Sequence, residues 1–108
     1  MKEDTEIRWI TNLLLSPYTS RLIGQKSASI QELERVAGSG ENNTAFRKWF
    51  KTMFDLGCFK IHKKTQVNYF SKTITTYFVD KDNFFSHLNK IELFKRYYKI
   101  VLEDHYSL

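Results

Sequence analysis

The chain reads as a mostly α-helical α+β domain with one small β-hairpin. Three observations point there. Apolar residues recur at helical spacing in four stretches: residues 3–15, 29–37, 42–57 and from residue 80 onward. Over residues 59–79 the period changes to alternation, in two runs rich in β-branched and aromatic side chains. At 108 residues the length suits one domain with a modest core. Nine Phe and six Tyr give that core much buried area per residue, and one Pro with four Gly argues against a disordered or fibrous chain.

The first helix is expected over residues 3–15. Ile7, Ile10, Leu13 and Leu14 form its apolar stripe, with Trp9 beside it. Glu3, Asp4 and Glu6 lie near the positive end of the helix dipole, where they are favourable. Ser16-Pro17 ends it, because Pro disfavours a helical conformation in the residue before it. Residues 17–26 read as a loop with a turn of helix around residues 20–23. Residues 26–29 are a candidate short strand. Ser29 and Glu32 have capping-box spacing at the head of a second helix with Ile30, Leu33, Val36 and Ala37 on its buried side. Gly38-Ser39-Gly40-Glu41 is the following turn.

Residues 42–59 have a start, a stop and two different faces. Asn42 or Asn43 can cap the first turn, and Gly57 sits where a left-handed C-terminal cap is needed. Phe46, Trp49, Phe50, Met53, Phe54 and Leu56 form an apolar side. Thr44, Arg47, Lys48 and Lys51 form a cationic side that Asp55 closes. In the first strand Phe59, Ile61 and Lys63 alternate with Lys60, His62 and Lys64. In the second, Ile74, Thr76 and Phe78 alternate with Thr75, Tyr77 and Val79. Between them is a long tip with Asn68 and Ser71-Lys72 as turn residues and Tyr69 and Phe70 half exposed. Asp80 caps a last helix running to about residue 103, some ~33 Å long at 1.5 Å per residue. Phe84, Leu88, Ile91, Phe94, Tyr98 and Val101 form one stripe on it. Phe85, Leu93, Tyr97 and Ile100 form a second. One small domain cannot cover both stripes over that length, so Phe85, Leu93, Tyr97 and Ile100 are the expected interface of a homodimer.

Charge is unevenly placed. Residues 44–73 hold seven cations, Arg47, Lys48, Lys51, Lys60, Lys63, Lys64 and Lys72, against the single acid Asp55, a net of +6. The whole chain carries +5, so everything else together is close to neutral. A basic excess confined to one contiguous third is what a polyanion-binding surface requires.

The run from Phe46 through Asp55-Leu56-Gly57-Cys58-Phe59-Lys60 resembles a recognition helix stepping through acidic-Leu-Gly-apolar residues into a first wing strand. The run Thr75-Thr76-Tyr77-Phe78-Val79-Asp80-Lys81-Asp82 resembles a second wing strand leading into a last helix. Together they resemble the winged-helix branch of the helix-turn-helix superfamily, as in small dimeric bacterial, archaeal and viral transcriptional regulators. On that resemblance the whole chain, 1–108, is one winged-helix domain. Residues 27–79 hold the helix-turn-helix and wing, and 80–104 the dimerisation helix.

The resemblance also implies a partner, double-stranded DNA, and a set of contacts. Thr44, Arg47, Lys48 and Lys51 would enter the major groove, with Arg47 as the bidentate contact to guanine. Asn43 would touch a base or a phosphate. Lys63, Lys64 and Lys72 would contact backbone or minor groove of the flanking duplex, and Ser27 and Ser29 a phosphate. The implied function is sequence-specific regulation of transcription, most simply repression by a dimer occluding a roughly palindromic site. An alternative is a protein-interaction module presenting Tyr69, Phe70, Tyr97 and Tyr98. The seven cations against one acid favour DNA. Single-stranded nucleic acid is a variant, with Trp49, Tyr69 and Phe70 as stacking platforms.

Enzyme chemistry is not expected. His62, His87 and His105 are far apart in sequence, no Gly-rich phosphate loop is present, and the single Cys58 excludes an internal disulfide or a Cys-rich zinc site. No cofactor, metal or small-molecule effector is indicated. The acidic N-terminus lacks an apolar signal core, and no apolar run approaches the roughly 18 residues that span a bilayer. A cytoplasmic or nucleoid-associated protein is therefore expected.

Overall fold

The structure, a computed structural model, describes residues 2–19, 26–67, 72–97 and 102. Among them the elements run α1 (Glu3–Leu14), a 3-10 turn (Pro17–Thr19), α2 (Ile30–Ala37), α3 (Thr44–Asp55), β1 (Phe59–Val67), β2 (Lys72–Val79), α4 (Lys81–Leu88) and α5 (Glu92–Tyr97). The architecture is α+β: helices with one two-stranded antiparallel sheet. The expected helical turn at residues 20–23 lies outside the described residues. So do Asn68, Tyr69, Phe70 and Ser71 of the hairpin tip, and Tyr98, Ile100, Val101 and His105.

Helix α1 is the platform. Ile7, Ile10 and Leu13 are fully buried, and α2, α4 and α5 all pack on it. It ends as its sequence suggests. The hydroxyls of Ser16 and Thr19 both donate to the Leu13 carbonyl, at 2.5 and 2.6 Å, and so satisfy an end the helix leaves open. Helix α3 lies across this platform. Trp9 meets Phe46 and Trp49 at ring-centroid distances of 5.3 and 5.4 Å, and Phe50 meets Phe59 at 4.4 Å. Burying a phenylalanine stabilises by roughly 1.5–3 kcal/mol. Phe46, Phe59, Phe84 and Phe94 are all fully buried. Exposed ion pairs such as Arg35 with Glu32 and Glu41 add only about 0–1 kcal/mol each, so the rings hold the fold.

Local signals set the boundaries. The Ser29 hydroxyl accepts from the Glu32 amide. The reciprocal half of the expected capping box is replaced: the Glu32 carboxylate accepts from Tyr18 and Arg35 instead. Asn43 caps α3 by accepting from the Phe46 amide at 2.9 Å. Gly57, at φ +82°, closes α3; its amide donates to Phe54 and that of Cys58 to Met53. At that φ a Cβ is strained, and it would also lie 2.7 Å from Asn83 Nδ2, so glycine is favoured. Asp80 caps α4 through the Asn83 amide, as expected. Leu56, assigned above to the apolar side of α3, is instead 53% exposed, because the chain turns at Gly57 and carries it off the packed face.

Two regularities of the sequence break in space. The strands pair from Phe59↔Val79 to Val67↔Lys72, but Ile61 faces Tyr77 while Lys63 faces Thr76. His62 is thus an extra residue, a β-bulge, and the simple alternation of Lys60, His62 and Lys64 does not hold. The single long C-terminal helix is also corrected. After Leu88, the amides of Lys90 and Ile91 reach back only three residues, to His87 and Leu88, and helix resumes at Glu92. This tighter turn, made at the exposed polar pair Asn89 and Lys90, lets Leu88, Ile91 and Phe94 all enter the monomer's own core.

The candidate strand at residues 26–29 is present as a single bridge. Ala28 and Tyr77 exchange both backbone hydrogen bonds, at 3.0 and 2.8 Å. Residue 28 thus lies along the free side of β2.

Candidate nucleic-acid interface

The cationic residues fall on α3 and the hairpin, which the fold sets side by side. On α3, Phe46, Trp49, Phe50 and Met53 are buried, whereas Thr44, Arg47, Lys48 and Lys51 are exposed. On the hairpin Lys63, Lys64 and Lys72 are exposed. Among the described residues no carboxylate pairs with Lys48, Lys51, Lys63, Lys64 or Lys72. An open cleft of about 550 Å³ runs between the two elements. Ser29, Ile30 and Gln31 form its α2 side, Asn42 and Arg47 its α3 side, and residues 72–75 with Tyr77 its β2 side. It brings together three of the expected contacts, Ser29, Arg47 and Lys72.

The register separates the hairpin lysines. Lys64 pairs with Thr75, two residues before Tyr77, and Tyr77 packs on Phe50 and Phe54 of α3. Successive strand residues alternate between faces, so Lys64 lies on the α3 side of the ribbon. Lys63 pairs with Thr76 and lies on the opposite side. There the bulged His62 packs on Phe78 with the rings tilted, at a centroid distance of 4.4 Å, and its Nδ1 lies 2.8 Å from the Ser27 hydroxyl, which also donates to Thr76. No carboxylate orients this serine and histidine among the described residues. The contact clasps the base of the ribbon and lacks the third member of a catalytic arrangement. Ser27 is therefore engaged within the protein, and Ser29 caps α2.

Several expected contacts have internal partners. Asn43 is half-buried; its Oδ1 caps α3 and its Nδ2 donates to the Ser39 carbonyl at 2.9 Å. Arg47 donates through Nε and Nη2 to Glu34, at 3.1 and 2.8 Å. Trp49 is buried and donates from Nε1 to Glu6 at 2.7 Å, so it offers no stacking platform. His87 makes an internal contact: its Nε2 lies 3.1 Å from the same Glu6 oxygen. Burial pushes the Glu6 carboxyl up, but the hydrogen bonds from His87 and Trp49 outweigh it and hold it below the usual range. Of the expected dimer residues, Phe85 and Leu93 are half-buried against the core, Tyr97 belongs to α5, and Ile100 lies outside the described residues.

Sequence reasoning missed Glu34. Among the described residues it is the one charged side chain that is fully buried. It accepts four hydrogen bonds: the two from Arg47, one from the Asn43 amide at 2.8 Å and one from the Asn42 amide at 3.3 Å. The Arg47 hydrogen bond is the main influence holding its carboxyl below the usual range. Burial opposes that, and the Asn43 and Asn42 amides reinforce it. One carboxylate thus fixes the turn, the start of α3 and an outward-facing arginine together. A signal was present in the sequence. Glu34 occupies a core position in the spacing 30, 33, 34, 37, where an acid needs a buried partner.

The remaining chemistry is sparse. Burial, aided by the Asp80 charge, pushes the Cys58 thiol up to about 11, so it is an inert core residue. No cluster of three metal-ligating side chains forms among the described residues. No described helix is long and apolar enough to cross a membrane. Comparison with protein families, with curated proteins and with solved structures finds no match.

Proposed function

We propose that this chain is a winged helix-turn-helix protein that binds double-stranded DNA, with α3 in the major groove and the hairpin against the flanking backbone. The observation that carries the reading is the surface formed by α3 and the hairpin. Its six lysines, Lys48, Lys51, Lys60, Lys63, Lys64 and Lys72, are exposed without a carboxylate partner among the described residues, and an open cleft with Arg47 and Lys72 on its walls joins the two elements. A phosphate backbone is the partner that such a surface neutralises best. Three features support the winged-helix geometry. A turn with left-handed Gly38, Gly40 and Asn42 joins α2 to α3. Gly57 leads from α3 directly into β1, and Ala28 bridges to β2.

Thr44, Lys48 and Lys51 are the groove-facing residues of this reading, with Arg47 as its base reader. Lys64 follows the backbone from the α3 side of the ribbon, with Lys72 lining the cleft. Regulation of transcription by occlusion, on a roughly palindromic site bound by a dimer, is the simplest use of such a module. The dimer has less apolar surface to rest on than a continuous helix would have offered, because Phe84, Leu88, Ile91 and Phe94 are buried in the monomer. Phe85 and Leu93 remain as its candidate contacts.

The test compares two substitutions on a selected site and on random duplexes. Arg47→Ala should cost about 1–3 kcal/mol on the selected site and relax one base position. Lys64→Ala should weaken all duplexes alike and lower the salt slope by about one. Unchanged affinity in both variants would remove the docking described here.

A further inference from the structure

The geometry points to Glu34 as a positioning residue for sequence readout: by holding one edge of the Arg47 guanidinium it fixes the other edge toward guanine. This rests on the DNA-binding reading and goes beyond it in saying which contact carries specificity, and why.

A guanidinium has five N–H groups in a rigid plane. Glu34 takes the side-on edge, Nε–H and one Nη2–H, through two separate carboxylate oxygens. Two bonds in one plane remove the freedom of the group to turn. The three N–H groups left over, on Nη1 and Nη2, have no protein partner among the described residues. One on each nitrogen points outward, and these two form the end-on fork. That fork makes two parallel bonds, and guanine O6 and N7 are its matching acceptors in the major groove.

Glu34 can hold Arg47 because it is itself held. It is fully buried, and the Asn42 and Asn43 amides occupy its oxygens from the turn side. The arginine side chain remains 42% exposed and lies on the wall of the cleft. An exposed end on a buried anchor is the arrangement a pre-oriented reader needs. Lys48 and Lys51, by contrast, are flexible point charges with no such anchor, suited to phosphate.

The test uses the whole chain, a duplex site selected from a random pool by the wild type, single-base variants of that site, and an unrelated duplex. Glu34→Gln lacks the charge that holds the fork. It should bind the unrelated duplex at least as well as the wild type and lose discrimination about ten-fold at one base pair. That pair should be the one Arg47→Ala relaxes, and the double variant should be no worse than either single. Loss spread evenly over all positions would mean that Arg47 contacts phosphate, and would overturn the proposal. Full discrimination in Glu34→Gln beside its loss in Arg47→Ala would overturn it equally.

Two measurements do not depend on that variant folding. Arg47→Lys keeps Glu34 and the charge but has no fork; it should lose the same base preference, by about the factor seen in Glu34→Gln. Nitrogen-15 NMR of the free wild-type protein should show the Arg47 Nε–H protected from exchange and rotation of its guanidinium slowed. A freely rotating Arg47 would overturn the proposal. A wild type that binds no duplex at all would instead remove the DNA reading beneath it, so the two failures are told apart.

Discussion

Helix α3 and the hairpin carry the same charge but are held in opposite ways. The helix is fixed from behind by Phe46, Trp49 and Phe50 and at its start by Asn43 and Glu34. Beyond the bulge the ribbon has no such backing: residues 63–66 and 72–74 are exposed. Its strands are joined to each other through the ladder of a two-stranded pair, the weakest independent form of sheet. Reading a base edge needs side chains fixed to a fraction of an ångström, whereas following a phosphate backbone needs only charge within reach. On the proposed DNA-binding reading, the two elements therefore suit different halves of one task.

The sharpest way to break that difference is to remove the backing of α3. Phe46 is fully buried and touches both Trp9 and Trp49, so Phe46→Ala should cost about 3–5 kcal/mol in urea unfolding. An effect below about 1 kcal/mol would mean that the rings do not hold the helix.

A smaller effect tests the polar anchor. Removing the charge of Glu34 should cost about 1–3 kcal/mol at neutral pH. Its folded pKa lies below the ordinary value of 4.5, so the stabilisation is present above that value and is lost as pH falls through the lowered one. Glu6 is shifted the same way and adds to the trend. Acid titration of the wild type should show stability falling from about pH 4.5 downward, and Glu34→Gln should flatten that fall. Equal slopes in the two proteins would mean that the network is not stabilising.

The smallest stability effect belongs to the ribbon. Lys63→Ala and Lys64→Ala should each leave stability within about 0.5 kcal/mol of the wild type. Their effects on duplex affinity should differ, with Lys64 the more important because it lies on the α3 side. Equal losses would mean that the ribbon meets DNA by its edge.

Much of this arrangement was legible in the sequence. Asn43 and Gly57 mark the ends of α3, and the spacing of Phe46, Trp49, Phe50 and Met53 separates its two faces. The capping residues Ser29 and Asp80 do the same for α2 and α4. Those signals are local, and local hydrogen bonds carry them out. The break at residues 89–91 was hidden because Leu88, Ile91 and Phe94 also fit a continuous stripe; only packing on α1 selects the tighter turn. The bulge at His62 was hidden because alternation on one strand says nothing of its partner's register. Charge spacing likewise placed Arg47 on the outer face but could not show that two of its five donors are held by Glu34. That bond joins residues thirteen apart, across a turn whose shape no local pattern specifies.

The measurement that bears most directly on the central claim is fluorescence anisotropy of a labelled random-sequence duplex, titrated with the protein at about 50 and about 200 mM salt. The account predicts micromolar binding at low salt that weakens on the order of 100-fold or more across that range, as several lysines release counterions. No binding at low salt, or binding indifferent to salt, would contradict it and leave the cationic face of α3 and the hairpin as solvated surface.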